Sequence, residues 1–250
     1  QNKKEKINKN IIIGVVSFLN NKTTQEFYNA LNNNLKLFGS TENLTELTSQ
    51  LDSKEDNLNF EILLENIISN NDFLILHSND VNDINWKKNI VKYSDRIIIL
   101  GNPKELNTIS SEESRIFNNY TNVNLNKLWL ILNHSQDTSI PSNTKELINI
   151  RNGIRTFHIK DNNDNDIKKI VRFITKQTIG LTLGGGGAKG FAHFGIYKAM
   201  NELNIPVDII GGTSAGSIVA SQIALGHSFE EIIDKNKKVN SLKMFKEYGL

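Results

Sequence analysis

The chain of 250 residues is long enough for one large domain or two small ones, and its apolar fraction of 38% is enough to build a buried core. Its 29 basic and 27 acidic residues give a formal net charge of +2, and this balance argues against nucleic acid as the main partner. The chain contains no cysteine, which excludes disulfides, a thiolate nucleophile and cysteine-ligated metals. The longest clean apolar run, residues 11–19, is shorter than the roughly 20 residues of a membrane-spanning helix.

Strand-like and helix-like segments alternate through the first 177 residues. Continuous apolar runs rich in β-branched residues are typical of buried parallel strands. The predicted strands are residues 11–18, 72–77, 95–100, 127–133 and 154–159. Periodic apolar positions predict helices after a cap at Thr23 or Thr24, around residues 62–68, and at residues 86–93 and 166–176. This alternation predicts an α/β domain with an open, mostly parallel sheet and helices on its faces.

Two features of this first segment indicate that it is non-catalytic. Residues 18–21 stand where a glycine-rich phosphate loop would follow the first strand. His77, His134 and His158 are scattered along the chain, and a lone histidine is more often a packed or surface residue than a ligand.

The polar segment 102–126 is interpreted as a surface excursion with a short helix at residues 111–117.

Glycine-rich turns distinguish the segment from residue 178 onward. Strand-like residues 178–183 lead into a glycine loop at 184–190 and a helix at 191–203. A second strand at 207–210 leads into a tight turn at 211–216 and a second helix at 217–225. The apolar residues predicted to share the buried face of the first of these helices are Ala192, Ile196, Ala199, Met200 and Leu203. The predicted boundary between the two domains lies at residues 176–177.

The glycine loop by itself fits more than one ligand. Gly185, Gly187 and Gly190 match the G-x-G-x-x-G pattern, and backbone N–H groups at a helix N-terminus suit a pyrophosphate and an oxyanion equally well. A dinucleotide site also needs an acid at the end of the second strand, where this chain has residues 211–213. A P-loop needs Lys and Ser or Thr where Phe191 stands.

The second turn favours the oxyanion. Gly212, Thr213, Ser214, Ala215 and Gly216 form a G-x-S-x-G motif between a predicted strand and a predicted helix. This is the setting of a nucleophile elbow, in which small flanking residues permit a sharp, strained turn that projects the serine hydroxyl. Ser214 is therefore the candidate nucleophile.

The two turns together resemble the patatin-like phospholipase family, and most closely its bacterial branch similar to neuropathy target esterase. The resemblance is carried by residues 185–190, 191–195 and 212–216, and it covers residues 178–250. It implies an N-terminal domain at 1–177, resembling the α/β segment that precedes such domains. It further implies that residues 178–250 are the first β-α-β-α part of a patatin-like α/β hydrolase domain.

The resemblance also implies the chemistry. Ser214 would be the nucleophile of a serine acyl hydrolase that acts on phospholipid or lysophospholipid. The backbone N–H groups of the glycine loop would form the oxyanion hole, contributed by Gly185, Gly186, Gly187 and Ala188. Lys189 would orient the loop or attract a phosphate head group. The family needs no metal or cofactor, and its aggregated substrate implies peripheral membrane contact. The expected location is the cytoplasm.

One family motif is absent. The family's base is an aspartate in a later Asp-Gly-Gly or Asp-Gly-Ala motif, which forms a Ser–Asp dyad, and no aspartate of this chain is followed by glycine. The expectation is that the patatin domain is truncated here, with the aspartate beyond residue 250, so the chain as given should hydrolyse esters very slowly or not at all. Two alternatives remain: a nucleotide- or phosphate-binding regulatory module, and a catalytically inactive patatin-like interaction protein.

Overall fold

The computed structural model describes residues 10–45, 54–78, 83–121, 123–161 and 163–238. The chain forms two compact units, Gln1–Gln177 and Thr178–Leu250. No helix in the described ranges combines the length and the apolarity that crossing a bilayer requires.

The first unit is built on a parallel sheet, to which its described residues contribute six strands. These strands are β1 Ile11–Ser17, β2 Thr41–Leu44, β3 Phe73–His77, β4 Arg96–Gly101, β5 Leu128–His134 and β6 Arg155–Lys160. The order across the sheet is β2-β3-β1-β4-β5-β6, and every neighbouring pair is parallel. Every residue of β3 and β5 is buried, which explains their continuous apolar sequences, since helices cover both faces of such a sheet. The predicted α/β class with an open parallel sheet is confirmed.

The six α-helices in the described part of the first unit fall into two layers around this sheet. They are α1 Asn21–Leu35, α2 Lys54–Asn70, α3 Ile84–Tyr93, α4 Ser111–Phe117, α5 Thr144–Asn149 and α6 Asp164–Ile174. One core cluster joins α1 and α6 to one face of the sheet, and a second cluster joins α2, α3, α4 and α5 to the other. The alternating side chains of each strand therefore feed two separate cores.

One local prediction in this unit is wrong. Helix α1 is capped by Asn20, whose side chain accepts a hydrogen bond from the Thr23 N–H at 2.9 Å. Thr24 instead shares a 2.7 Å hydrogen bond with the Ser17 hydroxyl, because the helix starts earlier than either threonine. Helix α2 forms where the apolar positions around residues 62–68 predicted one, with Phe60 and Leu64 buried in the second core cluster and Ile67 and Ile68 packed against it.

The segment at residues 102–126 also differs from the predicted surface excursion. Its helix α4 lies where predicted, but the segment contributes Leu106, Phe117 and other apolar residues to the core. Glu113 is fully buried and bonds the equally buried Arg151 through both carboxylate oxygens, at 2.6 and 2.8 Å. The segment is thus held to the unit by packing and by an internal ion pair.

The second unit contains two parallel strands, β7 Gly180–Leu183 and β8 Ile209–Gly212. Its helices are α7 Ala192–Glu202, α8 Ala215–Ala224 and α9 Phe229–Lys238, with a short 3₁₀ helix at Gly187–Phe191. This confirms the predicted succession of strand, glycine loop, helix, strand, tight turn and helix. The core residues of the unit are Leu183, Phe194, Val219, Ala220 and Ile232.

The predicted buried face of α7 is wrong. Phe194 and the partly buried Tyr197 face the core, whereas Ile196 and Leu203 are 48% and 69% exposed. Within the unit, α7 contacts α8 and α9, and Phe194 and Tyr197 are the residues of α7 that pack into their shared core.

Candidate active site

Both glycine-rich turns leave the same edge of the small sheet. The parallel register places Leu183 opposite Gly212, at the carboxyl ends of β7 and β8. The Thr213 N–H extends this pairing by donating to the Leu183 carbonyl at 3.0 Å. The loop that begins at residue 184 and the turn that carries Ser214 therefore start side by side.

Ser214 has a strained backbone. Its φ of 50° and ψ of −127° are unfavourable for a residue with a side chain, and such a conformation costs on the order of 1–3 kcal/mol. The turn is held by hydrogen bonds from the Gly216 N–H to the Thr213 carbonyl at 3.0 Å and from the Ser217 N–H to the Ser214 carbonyl at 2.9 Å. This is the geometry expected of a nucleophile elbow.

The glycines on either side of the serine are required by close backbone contacts. A Cβ atom on Gly216 would lie 2.3 Å from the Leu183 carbonyl oxygen, and one on Gly212 would lie 2.5 Å from the Gly216 carbonyl oxygen. Any side chain at either position would push the turn away from the strand ends. The motif therefore has a packing reason in addition to its conformational one.

The side chain of Ser214 is exposed and lies beside the glycine loop. Its Cβ atom is 3.2 Å from the position that a Cβ atom on Gly185 would occupy. Within the described part of the chain, its hydroxyl has no hydrogen-bond partner. The hydroxyl is thus accessible and adjoins the backbone of the loop.

The glycine loop offers several unused backbone donors. The N–H groups of residues 185–188 donate to no acceptor among the residues that the structure describes, while the Lys189 N–H closes the turn by donating to the Gly186 carbonyl at 3.0 Å. Unpaired N–H groups at the start of a helical turn carry partial positive charge and attract anions. A negatively charged oxygen beside Ser214 would find such donors close by.

Sequence reasoning missed one further donor, the N–H of Ala215. Ala215 is the first residue of α8, and in the described ranges its N–H has no acceptor. A Cβ atom on Gly190 would lie 2.6 Å from the Ala215 Cβ atom, so the end of the loop packs directly on this helix start. The signal was available, because the residue after the serine of a nucleophile elbow commonly supplies an oxyanion donor.

Comparison with known proteins agrees with this geometry. Residues 181–248 match the family model described as patatin-like phospholipase. Most of the second unit is thus similar to part of a patatin-like phospholipase domain. The family resemblance drawn from the two motifs is thereby confirmed, and the matched residues begin in β7 and include both turns.

Individual relatives extend the match. Lysophospholipase NTE1 of Kluyveromyces lactis is 47% identical over 74 residues, which are 30% of this chain and 5% of the yeast protein. Patatin-like phospholipase domain-containing protein 7 of Mus musculus is 29% identical over 184 residues, covering 63% of this chain and 13% of the mouse protein. Patatin-like phospholipase domain-containing protein ZK370.4 of Caenorhabditis elegans is 26% identical over 246 residues, covering 80% of this chain and 18% of the worm protein. The chain thus spans less than a fifth of these relatives, and the mouse and worm matches reach into the first unit.

Neither aspartate of the second unit, Asp208 or Asp234, is hydrogen-bonded to Ser214. Asp208 is buried at the amino end of β8, where its Oδ2 accepts from the Ile179 N–H at 3.0 Å. It precedes the strand that Ser214 follows, so the two lie at opposite ends of β8. Asp234 is exposed on α9, and the ring of His227 contacts the Lys235 ammonium at 2.7 Å. Within the described ranges, Ser214 therefore adjoins a loop with unpaired backbone N–H groups, and its hydroxyl forms no hydrogen bond to a carboxylate or a histidine.

Lys189 and Phe191 have exposed side chains at the end of the glycine loop. Lys189 forms no salt bridge among the described residues, and Phe191 is 63% exposed. A cation and an aromatic ring at the rim of the site are suited to a ligand that is anionic in one part and apolar in another.

In the first unit, the structure brings together two of the three histidines that the sequence left apart. His134 and His158 lie on the neighbouring strands β5 and β6, and their ring nitrogens are 2.8 Å apart. Burial lowers the pKa of both rings. His77 is buried at the end of β3 and stacks on Tyr28. These contacts agree with the interpretation of the three as packed residues.

Proposed function

We propose that this chain carries the nucleophile and the oxyanion hole of a serine acyl hydrolase that cleaves ester bonds of phospholipids or lysophospholipids. The observation that carries the proposal is the strained, exposed Ser214 beside the unpaired N–H groups of residues 185–188. The names of the relatives, which include a lysophospholipase and patatin-like phospholipase domain-containing proteins, support the substrate class.

The proposed reaction begins with attack of the Ser214 hydroxyl oxygen on the ester carbonyl carbon. A carboxylate base takes the hydroxyl proton as the new C–O bond forms, and the carbonyl oxygen becomes an oxyanion held by the loop N–H groups. Collapse of this intermediate breaks the bond to the alcohol, which leaves with the proton. Water, activated by the same base, then releases the fatty acid and restores the serine hydroxyl.

The base is the part of this mechanism that the described residues do not supply. The proposed dyad partner is an aspartate of an Asp-Gly motif, and none of the aspartates in the printed sequence fits. The site otherwise has the two groups that must be pre-positioned with the greatest accuracy, the nucleophile and the oxyanion donors. A missing donor alone costs about 2.7–4 kcal/mol of transition-state stabilisation.

Lipid substrates also imply contact with a membrane or micelle surface. We propose that the exposed Lys189 and Phe191 face this surface, with Lys189 near the phosphate head group. No nucleic acid, metal or cofactor takes part in the proposed reaction. A cytoplasmic location with peripheral membrane contact remains a prediction.

The test is the substitution Ser214→Ala in the full-length protein, with Ser221→Ala as the matched control. Ser221 is an exposed serine on the same helix whose hydroxyl donates to the Ile218 carbonyl. We expect S214A to lower kcat on a lysophospholipid by about 10⁴-fold or more and to abolish labelling by a fluorophosphonate. S221A should stay within about twofold of wild type.

Two results would contradict the proposal. Ester hydrolysis that survives S214A would exclude Ser214 as the nucleophile. A wild-type protein that is folded, inert to the fluorophosphonate and able to bind a nucleotide tightly would favour the regulatory-module alternative instead.

A further inference from the structure

A side chain of α7 anchors the glycine loop. His193, the second residue of α7, lies 2.8 Å from the Gly184 carbonyl oxygen through its Nε2 atom. A carbonyl oxygen only accepts, so the histidine ring must donate from Nε2. In the described chain this is the sole hydrogen bond to that oxygen, and the other ring nitrogen, Nδ1, is buried without a partner.

The hydrogen bond from His193 holds the peptide between Gly184 and Gly185. The Gly184 carbonyl and the Gly185 N–H belong to one planar trans peptide, in which C=O and N–H point in opposite directions. Fixing the oxygen towards α7 therefore fixes the direction of the Gly185 N–H. That N–H has no acceptor within the described residues, and Gly185 is the loop glycine that adjoins the Cβ atom of Ser214.

The glycine content of the loop explains why it needs an anchor. Residues 184–187 are four consecutive glycines, which lack the Cβ atoms that would restrict their backbone angles. A peptide between two glycines can rotate at little steric cost, and such a rotation would turn the Gly185 N–H away from its present direction. A side-chain donor on a rigid helix is the kind of contact that can hold one orientation.

From these observations we infer that His193 is a positioning residue: it holds the Gly184–Gly185 peptide so that the Gly185 N–H serves as an oxyanion donor for Ser214. The inference rests on the proposed function, because the oxyanion arises only if the Ser214 hydroxyl attacks an ester carbonyl. His193 does not touch the reacting atoms in this role, and its effect is exerted through the peptide that it holds.

The test compares two polar substitutions of different reach, His193→Gln and His193→Asn, in the full-length protein. The amide nitrogen of glutamine occupies about the position of Nε2, so H193Q keeps the bond to Gly184, whereas the shorter asparagine places its amide near the partnerless Nδ1. We expect H193N to lower kcat by about 10²–10³-fold with little change in KM, since the lost interaction exists only in the transition state. H193Q, which keeps the hydrogen bond, should have a kcat within about tenfold of that of the wild type. His227→Asn, a change of the same kind outside the loop, is the control and should leave kcat unchanged.

A second readout separates positioning from a general loss of structure. In the 250-residue chain, the amide ¹⁵N and ¹H resonances of Gly185 should shift in H193N and remain close to wild type in H193Q and H227N. If circular dichroism shows that H193N does not fold, His193→Met takes its place with the same expected results.

The outcomes distinguish this inference from the proposed function. Wild-type kcat in H193N, together with an inactive S214A, would overturn the role of His193 and leave the hydrolase intact. A fall in kcat without a shift at Gly185, or an equal fall in H193Q and H193N, would also overturn it. Activity that persists in S214A would overturn the proposed function itself.

Discussion

Buried His77 makes a quantitative prediction about the first unit. The residue is 2% exposed at the end of β3, where its ring stacks on Tyr28 with the ring centres 3.7 Å apart. Within the described ranges, its Nε2 atom has no hydrogen-bond partner. Burial lowers the pKa of His77 to about 4, although a hydrogen bond to the Ser78 backbone acts in the opposite direction.

The sign and size of the effect follow from linkage. The unfolded chain takes up a proton at this histidine near pH 6.5, whereas the folded unit resists protonation down to about pH 4. The unfolded state therefore binds more protons as the pH falls, and the free energy of unfolding decreases. A lowering of the pKa by about 2.5 units corresponds to about 3 kcal/mol in all, of which about 2 kcal/mol is lost between pH 8 and pH 5.

The perturbation is His77→Phe, which keeps a ring against Tyr28 and removes the titration. Urea unfolding at several pH values from 8 to 5, followed by tryptophan fluorescence, reports this unit specifically, because Trp86 and Trp129 are the two tryptophans of the chain. Loss of the bond to Ser78 costs H77F about 1 kcal/mol at every pH. Relative to wild type, H77F should gain about 2 kcal/mol as the pH falls to 5.

The difference between the two proteins isolates His77, because other titrating groups contribute equally to both. Curves of unfolding free energy against pH that run parallel in wild type and H77F would refute the assignment. They would mean that this ring is protonated as readily in the folded unit as in the unfolded chain.

Two further predictions concern single close contacts. Gly216→Ala should abolish fluorophosphonate labelling of the full-length protein, because its new methyl group would lie 2.3 Å from the Leu183 carbonyl oxygen. The control is Gly211→Ala, whose Cβ atom would meet nothing within 4 Å, and this variant should be labelled like the wild type. Labelling of G216A at the normal rate would show that the elbow tolerates a side chain. Glu113→Gln should lower the free energy of unfolding by about 3–5 kcal/mol in urea, because it leaves the buried Arg151 charge without its carboxylate. A loss below about 1 kcal/mol would indicate that the guanidinium finds water or another partner.

The sequence was sufficient for the elements whose signal is local. Uninterrupted apolar runs located five of the six strands of the first unit, and the glycine and serine spacing located both turns of the second. The missed strand β2 is four residues long and has few apolar residues. It forms at the sheet edge by pairing with β3, and such pairing leaves little trace in a short polar sequence.

The helix faces were harder to predict than the helices. The apolar stripe of α7 predicted that Ile196 and Leu203 would be buried, and both are exposed. Periodicity indicates that a helix has an apolar side, but the neighbouring elements select which residues turn inwards. In α7 this selection favours the aromatic ring of Phe194.

The candidate site divides in the same way. The G-x-S-x-G spacing by itself determined that Ser214 would stand in a tight turn between a strand and a helix, because glycine and small residues are what such a turn requires. Only the tertiary structure decided what surrounds it. The parallel register of β7 with β8 brings the glycine loop beside the serine, and the bond from His193 to Gly184 sets one peptide of that loop. Spacing along the chain does not encode the geometry of these contacts, which exists only once the strands have paired and the helices have packed.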